Sequence, residues 1–244
     1  MLHDRVFELF PLGLNHFLGH ARSLLRWGLP GSTLLLLAGC EESLSTVHPA
    51  GPAAAVIAQL WWVLLAGATA IFLFVAALIA LAWRRPPGET QERRFVVWLG
   101  LVFPMTVLAA LLAYGLVVGE RLLPRATPDL VRVEAEARQW DWRFGYEDAP
   151  GRETENVLHI PAGRPVDVAI TSVDVVHGFW VPRLAGKLDA MPGHVNVLRL
   201  EADAPGRYEG LGSEFNGAGY RDHRFTVIAH DEAGWQSFLQ GETP

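Results

Sequence analysis

Val131–Ala137 reads VRVEAEA, with an apolar residue at every second position. Successive side chains of an extended chain point to opposite faces, so this run has one apolar and one charged face. It predicts a half-buried strand. Val157–Ile160, Val166–Thr171, Val195–Leu200 and Arg224–Ala229 are further short strand candidates, separated by PAGRP, MPG and APG turns. Spacing of this kind predicts a Greek-key sandwich or barrel over 126–244. DEAGWQSFLQ, from Asp231, predicts a short closing helix with Asp231 as N-cap. Arg138–Tyr146 reads RQWDWRFGY, which places Trp140, Trp142 and Phe144 on one strand face near the membrane surface.

Upstream the chain is different in kind. The 244 residues are 50% hydrophobic, more apolar than an ordinary soluble domain. No charged residue occurs from Gly51 to Trp83 or from Phe95 to Gly119. Each run exceeds the ~20 apolar residues that span a bilayer as a helix. They predict a transmembrane hairpin over 55–119, with helices at 56–83 and 95–119, Trp61 and Trp62 as interfacial aromatics, and Pro104 as a tolerated kink. Arg84, Arg85, Arg93 and Arg94 cluster around the connecting PPGETQE, and the positive-inside rule places that loop in the cytoplasm. The C-terminal domain then faces the periplasm or cell exterior.

Residues 22–40 read RSLLRWGLPGSTLLLLAGC. Arg22 and Arg26, a short apolar core and a small-residue cleavage site form a leader over 1–39. LAGC matches a bacterial lipoprotein signal, with Cys40 as the acylated new N-terminus and 40–54 as a polar linker. The chain has 1 cysteine, so it forms no intrachain disulfide and cannot supply the two thiolates of a dinuclear copper centre. The net charge of −6 and the lack of a basic stripe argue against nucleic acid as partner.

Four stretches carry a resemblance to a known family: IAQLWWVLLAGATAIF in the first span, QWDWRFGYE, DVVHGFWVPRLAGKLDAMPGHVN at Asp174–Asn196, and GSEFNGAGYRDHRFTV at Gly212–Val227. In this order, over roughly 55–240, the chain resembles subunit II of haem-copper respiratory oxidases. The resemblance implies a two-helix transmembrane hairpin carrying an all-β cupredoxin-like Greek-key sandwich. It implies packing on subunit I, which holds the haem and copper, and a subunit III in the complex. It also implies a bacterial inner-membrane location with the sandwich outside.

In the cytochrome c-oxidising members the sandwich holds a dinuclear copper centre. Its ligands are a His in the DVxH segment and a loop in which two Cys, a His and a Met recur at short spacing. Copper that cycles between oxidation states favours such thiolate, imidazole and thioether donors. By resemblance the first His is His177. The two Cys positions hold Gly212 and Asn216, the second His position Tyr220, and the Met position His223. Glu214 is kept, and implies a magnesium ion shared with subunit I. Trp140 matches the electron-entry position and reads here as a vestigial packing residue. His177 and His223 are residual ligand positions, expected to be empty, with Tyr220 and Asn216 nearby and the polar side chains bonded to one another. His159, His194 and His230 have no ligand spacing and default to surface or turn roles.

The implied function is subunit II of a proton-translocating terminal oxidase that oxidises a quinol, a donor that needs no outside relay. The alternatives are a cytochrome c oxidase subunit with a degenerate copper site, or a membrane-anchored binding or assembly lipoprotein. Neither span contains a histidine, so haem ligation and dioxygen chemistry belong to subunit I.

Overall fold

The computed structural model of the chain describes residues 43–84, 92–124 and 127–242. The leader, Cys40 and most of the arginine-flanked loop lie outside the described residues. Helix α1 spans Pro52–Arg84 and so begins four residues before the expected boundary. Proline suits a first helical turn, where its missing N–H has no intrahelical partner anyway. Its 33 residues reach about 50 Å at 1.5 Å each, more than a bilayer core needs. The excess is used for docking: Ala54 and Ala58 are buried, at 2% and 6% exposure.

The end of the expected linker is therefore a strap rather than a loose tether. Ala50 N–H donates to the Arg183 carbonyl (2.7 Å), Asp203 N–H to the Ala50 carbonyl (2.9 Å), and Arg183 Nε to the His48 carbonyl (3.0 Å). Gly51 lies against the Glu201 carbonyl, where a Cβ has no room.

The return span comprises α2 (Glu92–Phe95), a π-helical stretch (Val96–Val102) and α3 (Phe103–Arg121). Pro104 sits in the first turn of α3, directly after the π-helical stretch. A proline inside a helix lacks one N–H and crowds the carbonyl four residues back, and the wider i→i+5 turn relieves that crowding. α1 and Arg93–Arg121 are both long and apolar enough to cross a membrane. They touch through Phe74 and Phe103, with ring centroids 5.7 Å apart.

Among the described residues the strands are β1 (Val131–Arg138), β2 (Asp141–Tyr146), β3 (Glu153–Glu155), β4 (Val157–Pro161) and β5 (Val166–Ser172). β6 (His177–Trp180), β7 (Lys187–Ala190), β8 (Asn196–Leu200), β9 (Gly206–Gly212) and β10 (Arg224–His230) complete the set. One sheet has the order β3-β2-β1-β5-β8, the other β4-β10-β9-β6-β7. β1 runs parallel to β5 and β10 parallel to β4, and the remaining pairs are antiparallel. This is the cupredoxin-like sandwich that the resemblance implied. The alternation of β1 is realised in full: Val131, Val133, Ala135 and Ala137 point into the core.

Trp142 and Phe144 also enter the core, but Trp140 does not share their face. It lies in the turn before β2 and stays 41% exposed. The closing helix α4 spans Glu232–Gln240, and an Asp231 side-chain oxygen accepts from Gly234 N–H at 2.8 Å, as an N-cap should.

Candidate functional site

At one end of the sandwich the start of β6, the β5–β6 loop, the β1–β2 turn and the loop Ser213–His223 come together. His177 opens β6 and His223 closes the loop, and both are fully buried. Their ring centroids lie 5.1 Å apart, edge to face. Trp142 stacks on His223 from the core side at 5.3 Å. The two histidines expected to converge do so.

What lies between them is Asn216. Its Nδ2 is 2.7 Å from His177 Nδ1 and 3.0 Å from His223 Nδ1, and its Oδ1 is 3.0 Å from Trp140 Nε1. These contacts assign the protons. An indole N–H can only donate, so Oδ1 must be the atom facing Trp140, and the amide N–H₂ faces the imidazoles. Both Nδ1 atoms then accept, and each neutral ring carries its hydrogen on Nε2. His177 Nε2–H donates to Asp174 Oδ1 at 2.7 Å. Among the described residues His223 Nε2 has no partner within hydrogen-bond distance, although the nearby Asp141 carbonyl favours a proton on that ring.

The charges follow from these contacts. Burial and the neighbouring His177 push the His223 imidazole below its ordinary pKa, which agrees with a neutral ring. Burial opposes the Asp174 carboxylate, but hydrogen bonds from His177 and from the Val175 and Gln139 amides outweigh it and bring the pKa down to about 2. Gln139 Nε2 also donates to the Asn216 carbonyl, so turn, loop and β5–β6 segment form one polar network.

The loop's glycines are set by this packing. A Cβ on Gly212 would overlap the His223 ring, and one on Gly219 would overlap the Trp140 indole. Gly217 has φ 121°, the left-handed side that favours glycine. Tyr220 takes no part in the centre, contrary to expectation. It turns outward, packs on Phe215 at 5.2 Å and accepts from Arg221 Nε at 3.4 Å. Glu214 points away from the histidines and pairs with Lys187, whose pKa that hydrogen bond raises.

The donor set does not fit a dinuclear copper centre. Gly212 offers no side chain, Tyr220 faces away, and an amide nitrogen occupies the point where both imidazole lone pairs converge. Among the described residues no group of three or more His, Cys, Asp or Glu is placed to hold a metal. The default surface role fits His194, which is exposed, but not His159 and His230. Those two are buried and bonded to each other at 2.8 Å.

The cytochrome c oxidase subunit II periplasmic-domain family matches residues 149–230. The chain is 31% identical over 233 residues to a cytochrome c oxidase subunit 2 of Alkalihalophilus pseudofirmus, covering 87% of this chain and 67% of that protein. It is 29% identical over 226 residues to a quinol oxidase subunit 2 of Bacillus cereus, covering 87% and 77%. The periplasmic domain of subunit II of cytochrome oxidase from Bradyrhizobium japonicum superposes with a TM-score of 0.45 at 22% identity, covering 48% of this chain and 94% of that one. The sandwich, the hairpin and the sequence matches to oxidase subunits define a membrane-bound respiratory oxidase component. The chain belongs to the subunit II family of haem-copper oxidases, and its partner is a subunit I.

Proposed function

We propose that this chain serves a proton-translocating oxidase whose electron donor is a quinol. The observation that carries this reading is Asn216: at a position where the copper centre needs a bridging thiolate, its amide donates to both imidazoles. A soluble one-electron carrier docking outside the membrane needs a relay toward the haem of subunit I. A quinol dissolved in the bilayer does not. The similarity to the quinol oxidase subunit of Bacillus cereus supports the same reading. Purified complex should oxidise quinol and leave reduced cytochrome c untouched. Robust cytochrome c turnover, or copper at about two per chain by metal analysis, would overturn it.

A second reading, a cytochrome c oxidase whose donor bypasses the sandwich, draws on two observations. Trp140 remains 41% exposed beside the loop, and the Alkalihalophilus pseudofirmus relative is a cytochrome c oxidase subunit. A haem-bearing subunit that co-purifies would favour it.

Three further assignments belong to the proposal. Cys40 is acylated and anchors the mature N-terminus at the bacterial inner membrane, which the mass of the N-terminal peptide tests. Glu214 supplies one carboxylate to a magnesium ion whose remaining ligands come from subunit I, and this requires Lys187 to give up its partner. A subunit III completes the complex, and its presence in the purified preparation tests that.

A further inference from the structure

A second pair of buried histidines lies outside the network just described. His159 on β4 and His230 at the end of β10 are each 8% exposed. His159 Nδ1 and His230 Nε2 are 2.8 Å apart, and the rings stack with centroids at 5.1 Å. Phe238 of α4 lies flat on His159, at 4.3 Å and 8°. The α4 residues Phe238 and Trp235 also pack on Tyr146, at 4.9 and 6.5 Å. The family match ends at residue 230, so α4 lies just past it.

We propose that the His159–His230 pair is an acid-sensitive latch: it holds α4 on the sandwich and releases it when the pair takes up a second proton. The neutral pair keeps one hydrogen between the two facing nitrogens. A first added proton goes to an outward nitrogen and leaves that bond intact. A second puts hydrogens on both facing nitrogens, so the bond breaks and two cations lie side by side.

The surroundings favour that outcome. From the β2–β3 loop Arg152 places its guanidinium 4.1 Å over the Phe238 ring, adding a third positive charge to the same stack. From β2 Tyr146 faces the pair through its hydroxyl, which accepts the His159 backbone N–H at 3.0 Å and supplies no charge. Burial lowers His230 below its ordinary pKa, and the neighbouring Asp231 carboxylate offsets part of that, which marks His230 as the ring protonated first. Burial, then His230 and Arg152, bring His159 down to about 4. Glu232, on α4, is occupied with Arg164 at 3.9 Å. An open α4 leaves both rings at their ordinary value, so the open state binds one more proton below about pH 6.5.

Hydrogen exchange of the full chain in lipid nanodiscs, from pH 4.5 to 7.5 and corrected for intrinsic rates, tests this. Protection over Glu232–Gln240 should fall about tenfold per pH unit below about pH 6 while β1 and β5 keep theirs. His159→Phe, which keeps the stack on Phe238, should flatten that slope. Protection of α4 that is flat with pH, or that falls together with β1 and β5, overturns the latch. Should the variant fail to fold, the ring resonances of the wild-type histidines decide. One ring must stay unprotonated well below the ordinary histidine range, and ordinary titration of both overturns the proposal.

Discussion

Replacing Asn216 by aspartate changes one atom group and reverses the hydrogen-bond demand of the whole centre. The new carboxylate can still accept from Trp140 Nε1. Its second oxygen, however, now faces two Nδ1 lone pairs in place of the amide hydrogens. His223 can adapt at small cost. Its Nε2–H makes no hydrogen bond among the described residues, so its proton moves to Nδ1, away from the Asp141 carbonyl, and the ring stays neutral. His177 cannot, because its Nε2–H is held by Asp174. It must take a second proton and become an imidazolium between two carboxylates, so the bonds of the centre re-form only with that proton bound, which acid favours and alkali opposes.

At pH 8 the variant therefore holds a buried carboxylate opposite an unprotonated nitrogen, at a cost of about 3 kcal/mol. At pH 5 the bonds re-form and the cost falls to about 1 kcal/mol. For a domain of this size each kcal/mol moves Tm by about 4 °C, so the deficit should be about 12 °C at pH 8 and about 4 °C at pH 5. Thermal unfolding followed by near-UV circular dichroism, with wild type run at each pH, measures it. Comparison at matched pH removes the acid sensitivity of the other histidines. An equal deficit at both pH values, or none, refutes the proton assignment. Asn216→Ala, which brings no charge, should cost about 2 kcal/mol at either pH.

Three more outcomes are expected. Gly219→Ala should push the Trp140 indole off the loop, costing about 1–3 kcal/mol and making its fluorescence more accessible to an added quencher. Asp174→Asn should cost about 1–2 kcal/mol at pH 7; because the Asp174 pKa is depressed to about 2, the wild-type advantage should shrink as pH falls toward that value, read from Tm between pH 3 and 7. Gly51→Ala should break the strap at the Glu201 carbonyl, lowering the Tm of the sandwich and exposing the Ala50 and Asp203 amides to hydrogen exchange, whereas unchanged exchange there would mean that the strap does not bear on the docking of α1.

The periodic parts of the chain are legible in its sequence. Charge-free runs longer than a bilayer is thick are long and apolar enough to be spans, and the alternation of VRVEAEA gives it one face to bury. Both are local properties, and α1, Arg93–Arg121 and β1 follow them. β9 was not legible, because its GRYEGLG looks like a turn. Gly210 and Gly212 are there because the Phe225 and His223 rings occupy the space a Cβ would fill, and those rings arrive from the next strand and loop. The docking of residues 48–54 was hidden for the same reason. A polar, proline-bearing segment reads as a linker until Arg183, 135 residues from His48, and the Asp203 amide satisfy its hydrogen bonds.

The site divides along the same line. Sequence alone determined which ligands are missing: with one cysteine in 244 residues, the two thiolates of a copper centre cannot come from this chain. The family resemblance brought His177, in the DVVH segment, and His223, at the end of the loop, into one frame. It could not show that Asn216 stands between them while Tyr220 turns away, nor that His159 and His230 meet under α4. Residue identity sets what a side chain can donate or accept. Which partner it meets depends on the packing of strands far apart in the chain, and that packing alone decided that an amide joins the two imidazoles.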